Sequence, residues 1–380
     1  SLVNESDLSR MGQILPSYRT SPAASANEVE WLGTSRRKIL QQILLFTGTI
    51  AFPSDVTGNW PGLENLAYEL PHLFSSTKMT SEKLQNFALF TEVCRKLSEG
   101  DELQAAEKLL WSYLPHLEAF VQRSSPEATM AARILSEGYL LAASLVGHRD
   151  DLRSRLFYSK QALLYGEIAQ DAVHRVAALR QVAATLNYLK RPSEVMEMYQ
   201  RALPLLSEVP PLLQSCIYAA LSGVHAQFRQ KHEADYCIGL AYERFGAHQG
   251  DEPELLRSIN ASENLLIHWA GKNHLFLGDP KQAETVFLQL DVLDPRVKLP
   301  KRIRIEAINT RARMFLAVNN MEQACFYLET ALQHALEIRS RLRLKEIVDT
   351  FQLVRKRWPN EKAIHILSDR FIQSLVDHVQ

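Results

Sequence analysis

Residues 271–290 read GKNHLFLGDPKQAETVFLQL, and the signals of a helix hairpin occur there in the order a hairpin needs. Gly271 removes a side chain where a second helix must approach, and Leu275 and Leu277 lie on an apolar face. Gly278 supplies the positive φ that ends a helix, and Asp279 can cap the next one. Pro280 fits the first helical turn, where its missing N–H is no loss. Ala283 is small enough for a tight crossing, and Phe287 and Leu290 follow it at i+4 and i+7 on the same face.

Slid along the chain, this template recurs. The helix-ending position falls at Gly100, Gly147, Lys190, Arg229, Gly278, Asn319 and Trp358. Five residues on comes a close-packing residue: Ala105, Leu152, Val195, Ala234, Ala283, Ala324, Ala363. Four further on lies a large one: Leu109, Leu156, Tyr199, Ile238, Phe287, Leu328, Leu367. The close-packing positions are 47, 43, 39, 49, 41 and 39 residues apart. LGDPKQAETVF, LSEGDELQAAEKLL and LNYLKRPSEVMEMYQRAL are the best copies.

On these residues the chain resembles the tetratricopeptide repeat, over roughly residues 80–378. The resemblance implies an all-α fold: a right-handed superhelical solenoid of about seven hairpins with an N-terminal capping helix. The spacings exceed the family's usual ~34 residues, so the helices or loops must be longer than standard.

Composition agrees with a folded helical chain. Of 380 residues, 46% are hydrophobic and 23% charged. Gly and Pro past residue 60 fall mostly between periodic segments, and long Val/Ile/Thr runs are absent, which predicts little or no sheet. The 43 basic and 43 acidic residues cancel, which removes any global electrostatic attraction to nucleic acid or membranes. Cys94, Cys216, Cys237 and Cys325 are single and without a C-x-x-C pair; we expect buried, reduced thiols and a cytoplasmic protein.

In chain order, residues 1–34 predict a linker or disordered lead-in, rich in Ser, Ala and Pro. The first residue is not Met, from which we expect a longer parent protein. Residues 35–52, SRRKILQQILLFTGTIAF, carry two arginines before an apolar run, as export signals do. Gln41 and Gln42 interrupt that run, and it is too short to span a bilayer, so residues 35–79 predict a packing helix and capping segment instead. Residues 80–380 form the repeat domain. The expected helix pairs are 80–98 with 101–122, 126–146 with 149–169, 171–190 with 193–207, and 211–229 with 231–246. Three more follow: 254–277 with 280–291, 300–318 with 321–338, and 341–357 with 361–378.

No H-E-x-x-H, G-x-S-x-G, Walker or dinucleotide-binding motif occurs. The neighbouring histidines His225 with His232 and His268 with His274 lack Cys or carboxylate companions at ligand spacing, so no metal is expected. Asp150–Asp151 and Asp251–Glu252 fall at turns, where capping accounts for them. We therefore expect no catalysis and no cofactor.

The sequence signal for function is geometric. In stacked hairpins the first helix of each pair lines the concave side. Its inward positions are Arg180, Gln181, Asn187 and Tyr188, then His268, Trp269 and Lys272, then Asn309 and Arg313, then Gln352, Arg355 and Lys356. Such amides can bind a peptide main chain, Arg and Lys can hold a carboxylate, and Trp269 and Tyr188 supply contact area. A solvated face, or a core role for Trp269, is the competing explanation. Residues 296–313 carry seven cations against Glu306 alone, and 339–357 carry seven against Glu346 and Asp349. An acidic partner could dock there, with nucleic acid the weaker choice for want of interleaved aromatics.

SRRKILQQIL, EGYLLAASLVGHRDDL with YSKQAL, and LRQVAATLNYLKRPSEVMEMYQRALPLL resemble a bacterial subgroup of these repeat proteins. There a phage-repressor-type helix-turn-helix domain precedes a linker, an apolar helix and the array. The resemblance implies a peptide- or protein-sensing region of a transcriptional regulator. It would touch DNA only through a domain outside this chain, avoid membranes, and be capable of homodimerising. A general interaction scaffold with no small ligand stays open beside it.

Overall fold

The computed structural model describes residues 81–99, 102–121, 126–247, 262–290 and 299–377. Over these the chain is all-helical, with fourteen α-helices packed in adjacent pairs. The first two pairs are α1 (Ser81–Glu99) with α2 (Leu103–Val121) and α3 (Pro126–His148) with α4 (Leu152–Ile168). Next come α5 (Ala172–Tyr188) with α6 (Pro192–Ala202), and α7 (Pro211–Gln227) with α8 (Lys231–Gly246). The last three pairs are α9 (Glu263–Leu277) with α10 (Pro280–Phe287), α11 (Lys301–Ala317) with α12 (Met321–Glu337), and α13 (Arg341–Arg357) with α14 (Lys362–Asp377). The expected lead-in, apolar helix and capping segment of residues 1–79 lie outside the described residues, as does Gly100.

The α9–α10 hairpin forms as its sequence dictates. Ser262 caps α9 by accepting from the Leu265 N–H, and Gly278 ends it in the left-handed region at φ 85°. The Asp279 N–H returns to the His274 carbonyl at 2.8 Å, while its side chain accepts from the Gln282 N–H at 3.1 Å. The Phe287 ring fills the space that a side chain at position 271 would need.

That helix stop, a Schellman motif, occurs at seven turns among the described residues. Positive φ is found at Asp150, Gln170, Lys190, Arg229, Gly278, Asn319 and Arg339. In each case the following N–H bonds back to a carbonyl five residues earlier in the preceding helix. The residues expected to end helices at Lys190, Arg229, Gly278 and Asn319 occupy this conformation. Two others do not. Gly147 lies inside α3, where it admits the Arg155 side chain, and Asp150 makes the turn instead. Trp358 ends α13 at φ −130°.

The shift at Gly147 moves the packing register of the second hairpin. Leu152 and Leu156 are only half-buried there, whereas Ser159, Ala162, Leu163 and Gly166 face inward. At either end of the array the template is one residue out: Ala106 and Ile364 are buried, Ala105 is half-buried and Ala363 exposed. Elsewhere Val195, Ala234, Ala283 and Ala324 occupy the close-packing position with almost no exposure. Pro204 tightens the end of the third hairpin into a 3₁₀ turn, Leu203–Glu208, where a longer α-helix was expected.

Each helix from α1 to α13 touches its chain neighbours, α14 packs on α12 and stacks Phe371 on Phe351 of α13, and each odd-numbered helix also touches the next odd-numbered one from α1 to α13. The odd helices thus form a continuous inner layer, an arrangement compatible with an α-solenoid. This local order is broken where α13 touches α3 and where side chains of α11 and α13 reach back to α3 and α5. Buried apolar residues form two large clusters, one from Leu84 to Cys237 and one from Ile267 to Phe371. Ala219, Ala241, Leu266 and Trp269 join them at the α7–α9 crossing. Buried Arg311 fastens the short α10, its guanidinium donating to the carbonyls of Phe287 and Leu290 and to the Tyr327 hydroxyl.

Candidate functional site

Where α11 and α13 return to the first half of the chain, four hydrogen bonds or ion pairs join residues 154 to 195 positions apart. Arg302 donates to the Ser144 hydroxyl at 2.8 Å and to His148 Nε2 at 3.2 Å. Arg343 donates to the Tyr188 hydroxyl at 3.2 Å, and Lys345 pairs with Asp150 at 2.7 Å. Neither large apolar cluster crosses here. The helical period makes the seam: Ser144 and His148, His268 and Lys272, Arg302, Glu306 and Asn309, and Arg343 and Glu346 each stack at i+3 or i+4 on an inner face.

Glu306 is the hub. Its Oε1 accepts from Lys272 Nζ at 2.8 Å, and its Oε2 pairs with Arg343 at 3.1 Å. Arg343 also donates to Glu346 at 2.5 Å, and Asn309 Nδ2 donates to the Glu346 carbonyl at 3.3 Å. The Lys272 ammonium stands 4.5 Å from the centre of the Trp269 ring. His268, 1% exposed, has Nε2 3.7 Å from Glu306, beyond hydrogen-bond distance, and neither ring nitrogen has a partner.

These charges set one another. Burial opposes ionisation of Glu306, but Lys272 and Arg343 outweigh it and hold the carboxyl well below its usual range. Burial raises Glu346 despite Arg343, with Glu306 adding to the effect. Burial lowers His148 to about 3, helped by the guanidiniums of Arg302, Arg343 and Arg155. The imidazole is therefore neutral, accepts from Arg302 at Nε2 and carries its proton on Nδ1, which has no partner. Arg155 lies with its guanidinium carbon 4.9 Å from the Tyr188 ring centre, and its shielded Nε has no acceptor.

A second buried histidine behaves oppositely. His174 on α5 is 2.9 Å from Asp171 and 3.2 Å from Glu137. Burial disfavours its charge, but the two carboxylates prevail and raise it to about 9.

Of the residues expected to line a groove, Tyr188, His268, Lys272 and Asn309 come together in this seam. Trp269, half-buried, borders it beneath Lys272 and packs into the α7–α9 crossing against Gly223. Arg180 and Gln181 are half-buried on α5, Arg180 near Tyr199 and Cys216. Asn187 is exposed and accepts from Gln227 at 3.4 Å. Arg313, Gln352 and Lys356 are exposed, and Arg355 is half-buried in the last turn of α13.

Glu306, Arg343, Glu346, Arg155, His148 and Arg302 were not among the expected groove residues. One signal for Glu306 was present: a lone acid amid seven cations is where a compensated buried charge belongs. Among the described residues no helix is long and apolar enough to cross a membrane, and no group of three His, Cys, Asp or Glu could hold a metal. No protein-family model and no curated protein matches the sequence.

Proposed function

We propose that this chain is a non-catalytic recognition module, a right-handed solenoid of about seven tetratricopeptide-like hairpins that binds a peptide or protein ligand on its inner wall. The observation that carries this is the seam, where helices α3, α5, α9, α11 and α13 all contribute polar or charged side chains to one junction. Charges are costly to bury, and perturbed groups gathered on one face mark functional sites more often than chance. We extend the proposal to the sensing region of a bacterial transcriptional regulator, reaching DNA through a separate domain. Its sequence resemblance to such regions supports this extension.

The test is to incubate the protein with native cell extract, re-isolate it by size exclusion, and identify what denaturation releases by mass spectrometry. A peptide or small molecule near one per chain, lost from Lys272→Met, is the expected result. Release of nothing that Lys272→Met fails to retain would overturn the sensor role, and proteins bound equally by the parent and Lys272→Met would favour a scaffold. That second reading has its own observation: Phe157, Leu164 and Ile168, at i, i+7 and i+11 on α4, are 56%, 45% and 45% exposed.

A further inference from the structure

The three guanidiniums around His148 are not equivalent. Arg343 is shared between Glu306 and Glu346, and Arg302 donates to two neutral partners, Ser144 and His148. Arg155 rests on an aromatic face, and among the described residues no carboxylate lies within ion-pair distance of it. Two shielded donors, Arg155 Nε and His148 Nδ1, have no acceptor in the protein. A buried donor left unpaired in a native fold calls for a partner that the chain does not supply. Gly147 maintains the arrangement, since a side-chain carbon there would stand 3.1 Å from Arg155 Cδ and 3.2 Å from its Nη1.

We propose that Arg155, flanked by His148 and Arg343, receives an oxoanion, a carboxylate or phosphate group, at the seam between the two apolar clusters. The inference rests on the recognition-module reading and names the charge class of its ligand. A guanidinium fork matches a planar or tetrahedral oxoanion, and shielding from water strengthens the pairing. Because Arg155 belongs to the first half of the chain and Arg343 to the second, one anion bridging them fastens the seam.

The experiment uses the full chain with sodium phosphate, sodium citrate, or sodium chloride at equal ionic strength, read by thermal midpoint and titration calorimetry. Phosphate, citrate or both should raise the midpoint above the chloride value. A response to phosphate alone indicates a phosphorylated ligand, and to citrate alone a carboxylate. Arg155→Met keeps the stem beside Gly147 but removes the charge. It should weaken anion binding about tenfold or more while melting in chloride no lower than the parent protein. Gly147→Ala, which displaces the guanidinium without deleting it, should weaken binding by a smaller factor.

The inference is overturned if neither anion acts beyond chloride, or if Arg155→Met responds as the parent does, the mark of an adventitious ion only. Should Arg155→Met not fold, an unchanged response in Gly147→Ala overturns it. Anion binding with no ligand recovered from extract would keep this site and remove the sensor role. A recovered ligand without an anionic group would do the reverse.

Discussion

The two halves of the array meet at two junctions of opposite character. At α7–α9, Trp269 lies on Gly223, Leu266 packs between Ala219 and Ala241, and one internal hydrogen bond runs from Asn273 to Ser222 at 2.8 Å. Where α11 and α13 meet α3, α5 and the turn after α3, the links are guanidinium, ammonium, hydroxyl, imidazole and carboxylate. Apolar packing tolerates small displacement and gains little from any one geometry. A buried polar junction depends on all its partners being present, because each charge left alone bears the full cost of desolvation. The first junction is therefore suited to hold the chain together, and the second to respond to what enters it.

The largest effect expected from breaking the contrast is at Glu306. Glu306→Gln leaves Lys272 and Arg343 without their shared carboxylate, and urea denaturation should show a loss of about 3–5 kcal/mol. At the apolar junction, Gly223→Ala pushes into the Trp269 ring and should cost about 1–3 kcal/mol, with no added sensitivity to salt. A cost at Gly223 that varies with ionic strength would erase the distinction.

The paired histidines sharpen it further. His174 has its folded value raised to about 9 from 6.5, so its stabilisation is whole below 6.5 and is lost as pH rises toward 9. His148 has its value lowered to about 3, so below 6.5 the unfolded chain binds the extra proton and stability falls with falling pH. Denaturation across pH 5–9 should therefore give a maximum near 6.5. His174→Gln should flatten the alkaline limb, and His148→Gln the acid one.

The smallest expected change lies outside both junctions. Lys190 is exposed and sits at φ 58°, where a Cβ is disfavoured. Lys190→Gly should stabilise the protein by about 1 kcal/mol or less, visible as a small rise in melting temperature.

Helix pairs were legible in the sequence because caps, turn residues and apolar spacing are local properties. Gly278 and Asp279 mark their hairpin so fully that its stop, cap and packing residue are as expected. Gly147 misled because a glycine does two things, ending helices and admitting close neighbours, and only the neighbour, Arg155, distinguishes them. The seam was legible by half. Tyr188, His268, Lys272 and Asn309 are inward in their own hairpins, which the repeat phase gives. Arg343 and Arg155 depend on how distant helices are brought together, and no local pattern encodes which residue 155 positions away will face Arg343.

The separation of the apolar clusters also has a kinetic side. Within each cluster, contacts join helices close in sequence, which favours rapid, independent assembly. The α3–α13 contact spans most of the array and requires the long intervening chain to be ordered beforehand. Substitutions in the seam should therefore act on how fast the protein comes apart and leave its rate of formation almost untouched.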